Sequence, residues 1–248
     1  MNPEKKLSGE ISLIGDKSIS HRSIIFGSIA EGVSEFSNVL ISGDTTATIE
    51  IFNSLGVNIE VKEHNTLVIH GVGLNGLSKS KQALDAKSSG TTARLLTGLL
   101  ARQNFSSELI GSSQLSKRPM GRVINLLTEH GSDIKSNEGY LPIKFEKTES
   151  AFNTINTIVP SAQVKSALII ASLYHQEPTV ITEDVPTRDH TERMLSHMGV
   201  GLVRMGSATT VPPNQILKPT SFRIPSDISS AAFLIAIGIL SSDKIVLN

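Results

Sequence analysis

The 248-residue chain contains no cysteine and no tryptophan. Within this sequence, that excludes disulfide bonds, thiolate nucleophiles and cysteine-ligated zinc. Aromatic residues make up only 4% of the chain, and 23 basic residues balance 23 acidic ones. Proteins that bind nucleic acid usually need a basic surface or aromatic stacking platforms, so no nucleic-acid partner is expected.

Long apolar runs, metal-ligand motifs and targeting signals are also missing. The longest apolar run, AAFLIAIGIL at residues 231–240, is about half the length of a membrane span. The seven histidines show no HExxH-type spacing, so we predict no metal site. The first ten residues carry charge but no apolar stretch typical of a secretory signal. We therefore expect a cytoplasmic protein with no membrane partner.

The sequence does contain internal repeats. Four segments share a short polar loop with serine, then an apolar run of helix length, then a strand-like run. The segments align on Ser18, Ser89, Ser161 and Ser229, which are 71, 72 and 68 residues apart. A period this long exceeds that of most solenoid repeats, so it indicates a compact domain of related units.

A second kind of segment lies between these repeats, at residues 45–61, 118–135 and 187–203. In each, apolar residues recur at i, i+3, i+4 and i+7, and a glycine follows, which is typical of an amphipathic helix. Short β-rich stretches come next. The sequence therefore predicts an α/β domain of three βαβαββ units with pseudo-threefold symmetry.

The fourth repeat begins near Phe222 and contains only a helix and one strand. Half a unit cannot bury its own apolar face. We therefore expect this sequence to be the first part of a longer protein, or to pair with a separate second part. Residues 17–221 are predicted to form the first domain, and residues 1–16 and 222–248 to belong to an incomplete second domain.

Charged and hydroxyl side chains cluster at the predicted helix starts. A helix N-terminus favours anions, because its free N–H groups lie at the positive end of the helix dipole. Ser18, Thr91 and Ser161 are each explained more simply as N-caps. Lys17 and Arg22 are harder to explain, because cations beside free N–H groups are unfavourable unless an anion binds. The motif therefore predicts a phosphate or carboxylate ligand.

Other helix starts show the same bias. Basic side chains recur there, and a glycine and a glutamine lie beside them: Gly90, Arg94, Arg118, Gln163, Lys165 and Arg188. Gly90 would let a ligand approach the backbone closely. Each basic residue could instead be solvated or paired with a carboxylate, but their recurrence predicts a ligand with several negative charges.

Five motifs in order resemble the 5-enolpyruvylshikimate-3-phosphate synthase family. They are GDKSISHRS, SGTTARLLTGLL, LSKRPMGRVINLL, PSAQVKSALIIASL and TRDHTERML, and together they extend over nearly the whole chain. The resemblance implies a fold of two similar domains, each of three βαβαββ units, with the active site in the cleft between them. This chain resembles the first domain and the strands that connect it to the second.

The resemblance also implies a reaction of the shikimate pathway, which leads through chorismate to aromatic amino acids. The enolpyruvyl group of phosphoenolpyruvate is transferred to the 5-hydroxyl of shikimate 3-phosphate, and phosphate leaves, with no metal or other cofactor. Family members are usually monomeric. The acidic general base comes from the second domain and has no counterpart here, so a second domain, in the same or another chain, is the expected partner and this chain alone is expected to be inactive.

Site residues follow from the matching motifs. The resemblance implies that shikimate 3-phosphate is bound by Lys17, Ser18, Arg22, Ser161, Ala162, Gln163 and Arg188. It implies that phosphoenolpyruvate is bound by Lys17, Gly90, Arg118 and Gln163. Lys17, which would touch both substrates, is the implied catalytic residue. Ser88 stands where many members have asparagine, so a slightly different phosphoenolpyruvate pocket is expected.

Two other interpretations remain open. The sister family, UDP-N-acetylglucosamine enolpyruvyl transferase, shares the fold but typically has Lys-Asn at Lys17-Ser18, and usually a catalytic cysteine that this chain lacks. The RDHTERML segment also fits the shikimate family better. The second alternative is a non-catalytic half-protein that binds a phosphorylated metabolite.

Overall fold

The computed structural model describes residues 9–147, 154–157, 161–241 and 245–247. The α-helices in these segments are α1 (Lys17–Ser28), α2 (Gly43–Ser54), α3 (Gly90–Leu100), α4 (Gly121–Glu129), α5 (Ala162–Ser172), α6 (His190–His197) and α7 (Ile228–Ser241). None of them is both long enough and apolar enough to cross a membrane.

One to three strands lie between successive helices. The strands are β1 (Gly9–Ile11), β2 (Glu31–Ser37), β3 (Asn58–Lys62), β4 (Thr66–Val72), β5 (Leu84–Asp85), β6 (Ser107–Ile110), β7 (Ile134–Asn137), β8 (Tyr140–Phe145), β9 (Thr154–Thr157), β10 (Thr179–Glu183), β11 (Val203–Met205), β12 (Ala208–Val211), β13 (Ser221–Arg223) and β14 (Ile245–Leu247).

Three four-stranded sheets share one topology, which confirms the predicted βαβαββ repeat. Their strand orders are β13-β2-β4-β3, β5-β6-β8-β7 and β9-β10-β12-β11. In each sheet the first two strands are parallel and the remaining pairs are antiparallel. A helix connects the parallel strands of the second and third units, as a parallel connection requires.

The first unit takes its parallel strand from the far end of the third. Strand β13 pairs with β2 in the register Ser221 to Glu35 and Arg223 to Ser37. This pairing covers an edge of β2 that would otherwise be open. Phe222 and Arg223, which the sequence analysis assigned to the second domain, therefore lie in a sheet of the first unit.

The segment before α1 and the segment after β13 run side by side where the chain enters and leaves the three units. Asp16 N donates to Pro225 O at 2.8 Å, and Asp227 N donates to Ile14 O at 2.9 Å. Beyond this crossing, β1 and β14 form a separate parallel pair. Residues 1–8, 242–244 and 248 of the predicted second-domain segments lie outside the described residues.

Helices α1, α3 and α5 form the centre of the molecule, and nearly all of their residues are buried. A helix that is buried on all sides must satisfy its own polar side chains. Ser28, Thr97 and Ser172 do so by donating to the carbonyl four residues earlier, at 2.7, 2.8 and 2.7 Å. Helices α2, α4 and α6 surround the three central helices.

Helix α7 differs from the other helices because its apolar side chains face outward. Phe233 and Leu240 are 82% and 85% exposed. Isolated exposed apolar residues are common, but a helix with this composition exposed along its length is typical of a surface that another element covers.

Gly98 sets how closely α3 and α5 approach. A Cβ added at Gly98 would lie 2.0 Å from the Ala167 carbonyl oxygen and 2.8 Å from Ala167 Cα. Both atoms belong to the backbone of α5, so a larger residue forces the helices apart.

We predict that Gly98→Ala lowers the free energy of unfolding by about 1–3 kcal/mol, the usual cost of overpacking a core. Urea unfolding of the 248-residue chain measures the change. Gly43→Ala is the matched control, because a Cβ at Gly43 meets no atom within 4 Å. Equal stability of the two variants would show that the α3–α5 contact has room to relax.

Candidate active site

The N-termini of α3 and α5 lie side by side. Gln163 Nε2 donates to Thr91 Oγ1 at 3.0 Å, and Arg94 Nη1 donates to Gln163 Oε1 at 3.2 Å. Arg22 brings α1 to the same place, since its Nη2 donates to Ser166 Oγ on α5. Three helix N-termini from three different units therefore meet at one surface of the molecule.

The helix caps differ from two of the three sequence predictions. Asp16 caps α1 by accepting from Ile19 N at 2.8 Å, and Ser89 caps α3 by accepting from Thr92 N at 3.2 Å. Only Ser161 has the predicted role, accepting from Val164 N at 3.4 Å. The capping explanation is wrong for Ser18 and Thr91, because the preceding loops supply Asp16 and Ser89 two residues earlier.

Arg22 is fixed by three hydrogen bonds and is only 4% exposed. Its Nε donates to Thr191 Oγ1 at 2.7 Å, its Nη2 to Ser166 Oγ at 2.7 Å and its Nη1 to Ser18 O at 2.9 Å. Burial lowers the pKa of Arg22 to about 10, and the negative charge of Glu192 opposes that shift. The guanidinium therefore stays charged at neutral pH.

A first cavity of about 330 Å³ opens beside Arg22. Its lining contains two guanidinium groups, a serine hydroxyl from each of two helix starts and the first residues of α5: Ser18, Arg22, Ser161, Ala162, Gln163, Arg188 and His190. Apart from Lys17, this set includes every residue that the sequence analysis assigned to shikimate 3-phosphate.

His190 is the lining residue that the sequence analysis did not assign to a site. Burial lowers its pKa, and the neighbouring Arg22 lowers it further. Its position as the first residue of α6, two residues after Arg188, was the available signal. On its other side, His190 borders a groove of about 490 Å³ whose lining mixes apolar side chains with Arg193 and His197. None of the residues assigned to either substrate lines this groove.

A second cavity of about 330 Å³ adjoins the first and shares Ser161 and Gln163 with it. Arg94 and Arg122 line it, and sequence reasoning had not singled out Arg122. Burial lowers the pKa of Arg94, and the charges of Arg118 and Arg122 lower it further. Arg94 and Arg122 therefore place positive charge in the lining of this cavity, and Arg118 lies close enough to Arg94 to act on it.

Gly90 lies against these arginines. A Cβ added at Gly90 would be 2.9 Å from Arg94 Nη1 and 3.4 Å from Arg118 Nη1. The glycine therefore makes room for two guanidinium groups at the start of α3. Ser88, next to this site, hydrogen-bonds through its hydroxyl to that of Ser112 at 3.0 Å.

Lys17 lies at the rim of the site, with 46% of its side chain exposed, and forms an ion pair with Asp44 on α2. The expectation that its charge is unbalanced without an anion is therefore wrong.

Lys165 is also paired, with Glu183 and Glu192, and is 1% exposed. For Lys165 the carboxylate-paired alternative is confirmed, and no cavity described above includes it.

A chain of buried polar side chains joins the first three helices below the site. His21 Nδ1 is 2.9 Å from Thr48 Oγ1, which is 2.7 Å from Thr92 Oγ1. Thr92 in turn donates to Ser89 Oγ, the cap of α3, at 2.7 Å. Burial, with a smaller effect from Lys17, lowers the pKa of His21 to about 4.

We predict that His21 makes the fold acid-sensitive. Between pH 6.5 and about 4 the unfolded chain binds a proton at His21 that the folded chain does not. The free energy of unfolding should therefore fall by about 3 kcal/mol as pH drops through that window. Urea unfolding at several pH values measures the slope, which His21→Asn should reduce and the exposed control His64→Asn should not. An unchanged slope in His21→Asn would assign the acid sensitivity to other groups.

Comparison with known proteins places these features in a family. The family model described as EPSP synthase (3-phosphoshikimate 1-carboxyvinyltransferase) matches residues 1–248. A 3-phosphoshikimate 1-carboxyvinyltransferase from Ruthia magnifica subsp. Calyptogena magnifica is 49% identical over 236 residues, which is 94% of this chain and 54% of that protein. The enzyme of the same name from Vesicomyosocius okutanii is 48% identical over 95% of this chain and 54% of its own length.

Solved structures agree with these relatives. An EPSP synthase structure from Acinetobacter baumannii matches with a TM-score of 0.89 at 40% identity, over 93% of this chain and 53% of that one. This chain thus spans about half the length of the relatives it matches. The full-length match to the family model and the shared three-unit fold show that the chain belongs to the EPSP synthase family.

Proposed function

We propose that this chain provides the first-domain side of an active site that transfers the enolpyruvyl group of phosphoenolpyruvate to the 5-hydroxyl of shikimate 3-phosphate. The observation that carries this proposal is the pair of adjoining cation-rich cavities that share Gln163. Both substrates are phosphorylated carboxylates, and the reaction needs them side by side.

The first cavity suits the phosphate of shikimate 3-phosphate. Arg22 uses three of its five N–H donors on Thr191, Ser166 and Ser18, which leaves two for an anion. Arg188 and the first N–H groups of α5 add charge and donors. We assign shikimate 3-phosphate to the residues that the sequence analysis named: Lys17, Ser18, Arg22, Ser161, Ala162, Gln163 and Arg188.

The second cavity suits phosphoenolpyruvate. We assign this substrate to Lys17, Gly90, Arg118 and Gln163. Of these, Gln163 lines the second cavity, and Gly90 and Arg118 lie beside its Arg94. Arg94 and Arg122 add positive charge. Gln163 would lie between the two substrates, because it lines both cavities. Lys17, at the rim, would contact both substrates if its ammonium group is shared with or released from Asp44.

The reaction is an addition followed by an elimination. In the addition, the 5-hydroxyl loses its proton and its oxygen bonds to C2 of phosphoenolpyruvate while C3 gains a proton. In the elimination, C3 loses a proton, the C2–C3 double bond forms again and the C2–O bond to phosphate breaks. The cations described here would stabilise the negative charge of both substrates and of the tetrahedral intermediate. The acid–base groups are assigned by resemblance to a second domain.

We also propose that residues 17–221, together with β13, form the first domain. Residues 1–16 and the segment after β13 would belong to a second domain, in the same or a separate chain. The exposed apolar face of α7 supports this assignment. The completed enzyme would be a cytoplasmic monomer.

We predict that the purified 248-residue chain releases no phosphate from phosphoenolpyruvate above background, with or without shikimate 3-phosphate. The reason is that the chain spans about half of its relatives and lacks the groups assigned to the other domain. A phosphate-release assay measures this, and turnover by the chain alone would contradict it. Binding of shikimate 3-phosphate without turnover is also what a non-catalytic half-protein would show.

We predict that the chain binds shikimate 3-phosphate weakly and that Arg22→Ala weakens the binding at least tenfold, since a charge-assisted hydrogen bond is worth about 1.5–3 kcal/mol. Calorimetry measures the affinity. Arg188→Ala tests the same cavity without touching the bonds to Thr191 and Ser166. Lys62→Ala, at an exposed position of β3, is the control. Unchanged affinity in both arginine variants would rule out the proposed phosphate site.

A further inference from the structure

We propose that Lys165, Glu183 and Glu192 form a buried charge network that sets how strongly the first cavity attracts an anion, acting through Arg22. The three residues are positioning residues, because none of them lines the cavity. This inference rests on the proposed function, since it concerns the same anion site.

The network is compact and shielded from water. Lys165 Nζ on α5 lies 2.9 Å from Glu183 Oε2 at the end of β10 and 2.7 Å from Glu192 Oε1 on α6. The three residues are 1%, 4% and 6% exposed. Thr187 Oγ1 donates to the other Glu183 oxygen at 2.6 Å. The central helix, the sheet and the outer helix of the third unit thus meet at Lys165.

The network is joined to Arg22 through neighbouring residues. Lys165 directly precedes Ser166, and Glu192 directly follows Thr191. Ser166 and Thr191 are the two hydroxyl groups that accept from Arg22, and Thr191 also donates to Ser166 at 2.7 Å. The Lys165–Glu192 ion pair therefore ties α5 to α6 one residue away from the groups that hold the guanidinium.

The four buried charges balance before any ligand binds. Arg22 and Lys165 carry two positive charges, and Glu183 and Glu192 carry two negative ones. Glu192 is the strongest charged influence on Arg22, whose pKa it raises against the effect of burial. Charges in such a place are poorly screened by water and salt. A change of one charge in the network should therefore alter the electrostatic potential in the adjoining cavity.

The two halves of the ion pair should have opposite effects on anion binding. With Arg22 counted among the four groups, loss of the Lys165 charge leaves them with a net negative charge, which repels an anion. Loss of the Glu192 charge leaves a net positive charge, which attracts one. A merely structural ion pair behaves differently, since removing either partner would loosen Arg22 and weaken binding in both cases.

The test compares Lys165→Met with Glu192→Gln in the 248-residue chain. Glutamine has nearly the same size and shape as glutamate, so the second change removes the charge and keeps the packing. Calorimetry with inorganic phosphate and with shikimate 3-phosphate, at fixed pH and ionic strength, gives the affinities. We expect Glu192→Gln to tighten binding about three- to tenfold and Lys165→Met to weaken it by a similar factor.

Matched controls come from an exposed pair on the second sheet. Lys144 Nζ lies 3.8 Å from Glu108 Oε1, with the two side chains 60% and 37% exposed. Lys144→Met and Glu108→Gln make the same chemical changes at the surface and should leave both affinities unchanged.

A third variant of the network, Glu183→Gln, should tighten anion binding as Glu192→Gln does. It allows the inference to be tested even if Lys165→Met does not fold.

Weaker anion binding in both Glu192→Gln and Glu183→Gln would overturn the inference and leave the proposed substrate site intact. Unchanged binding in these two variants would overturn it in the same way. Failure of the unmodified chain to bind either anion would instead overturn the proposed site, and the inference with it.

Discussion

The burial of one cation, Arg22, holds the candidate site together. A buried guanidinium is costly unless its donors and its charge are matched. Here α1 supplies the arginine, while α5 and α6 supply the hydroxyl groups that accept from it. The hydrogen bonds of Arg22 therefore link the first unit to the third. The same contact that closes the domain therefore places a charged group at the surface where the three helix N-termini meet.

Close helix packing makes that convergence possible. Gly98 lets the backbone of α3 come into contact with α5 at Ala167, and Gly90 leaves room for Arg94 and Arg118 at the start of α3. Each helix N-terminus favours an anion only weakly, because the effect of the dipole fades within one turn. Bringing the N-termini together with several guanidinium groups gives two adjoining sites that could hold two anionic ligands at once.

Charge pairing separates the basic side chains into two groups. Lys17 and Lys165 have carboxylate partners, whereas Arg22 and Arg188 line a cavity. Sequence position did not distinguish them, since all four lie near helix starts. The partners Asp44 and Glu183 lie 27 and 18 residues away along the chain. They reach their lysines only through the packing of one element on another.

The amino-acid sequence alone indicated the three-unit repeat, the helices of the described residues, and the serine, glutamine and arginine side chains of the first cavity. Periodicity and the residues at helix starts are local properties, so they can be read without the fold. Tertiary structure decided the rest. It placed β13 in the first sheet, and it made Asp16 and Ser89 the caps of α1 and α3. It brought His190 to the first cavity and Arg122 to the second. It also buried Lys165 between two carboxylates. Strand partners, ion pairs and cavities join distant segments, so they exist only once the helices and sheets have packed.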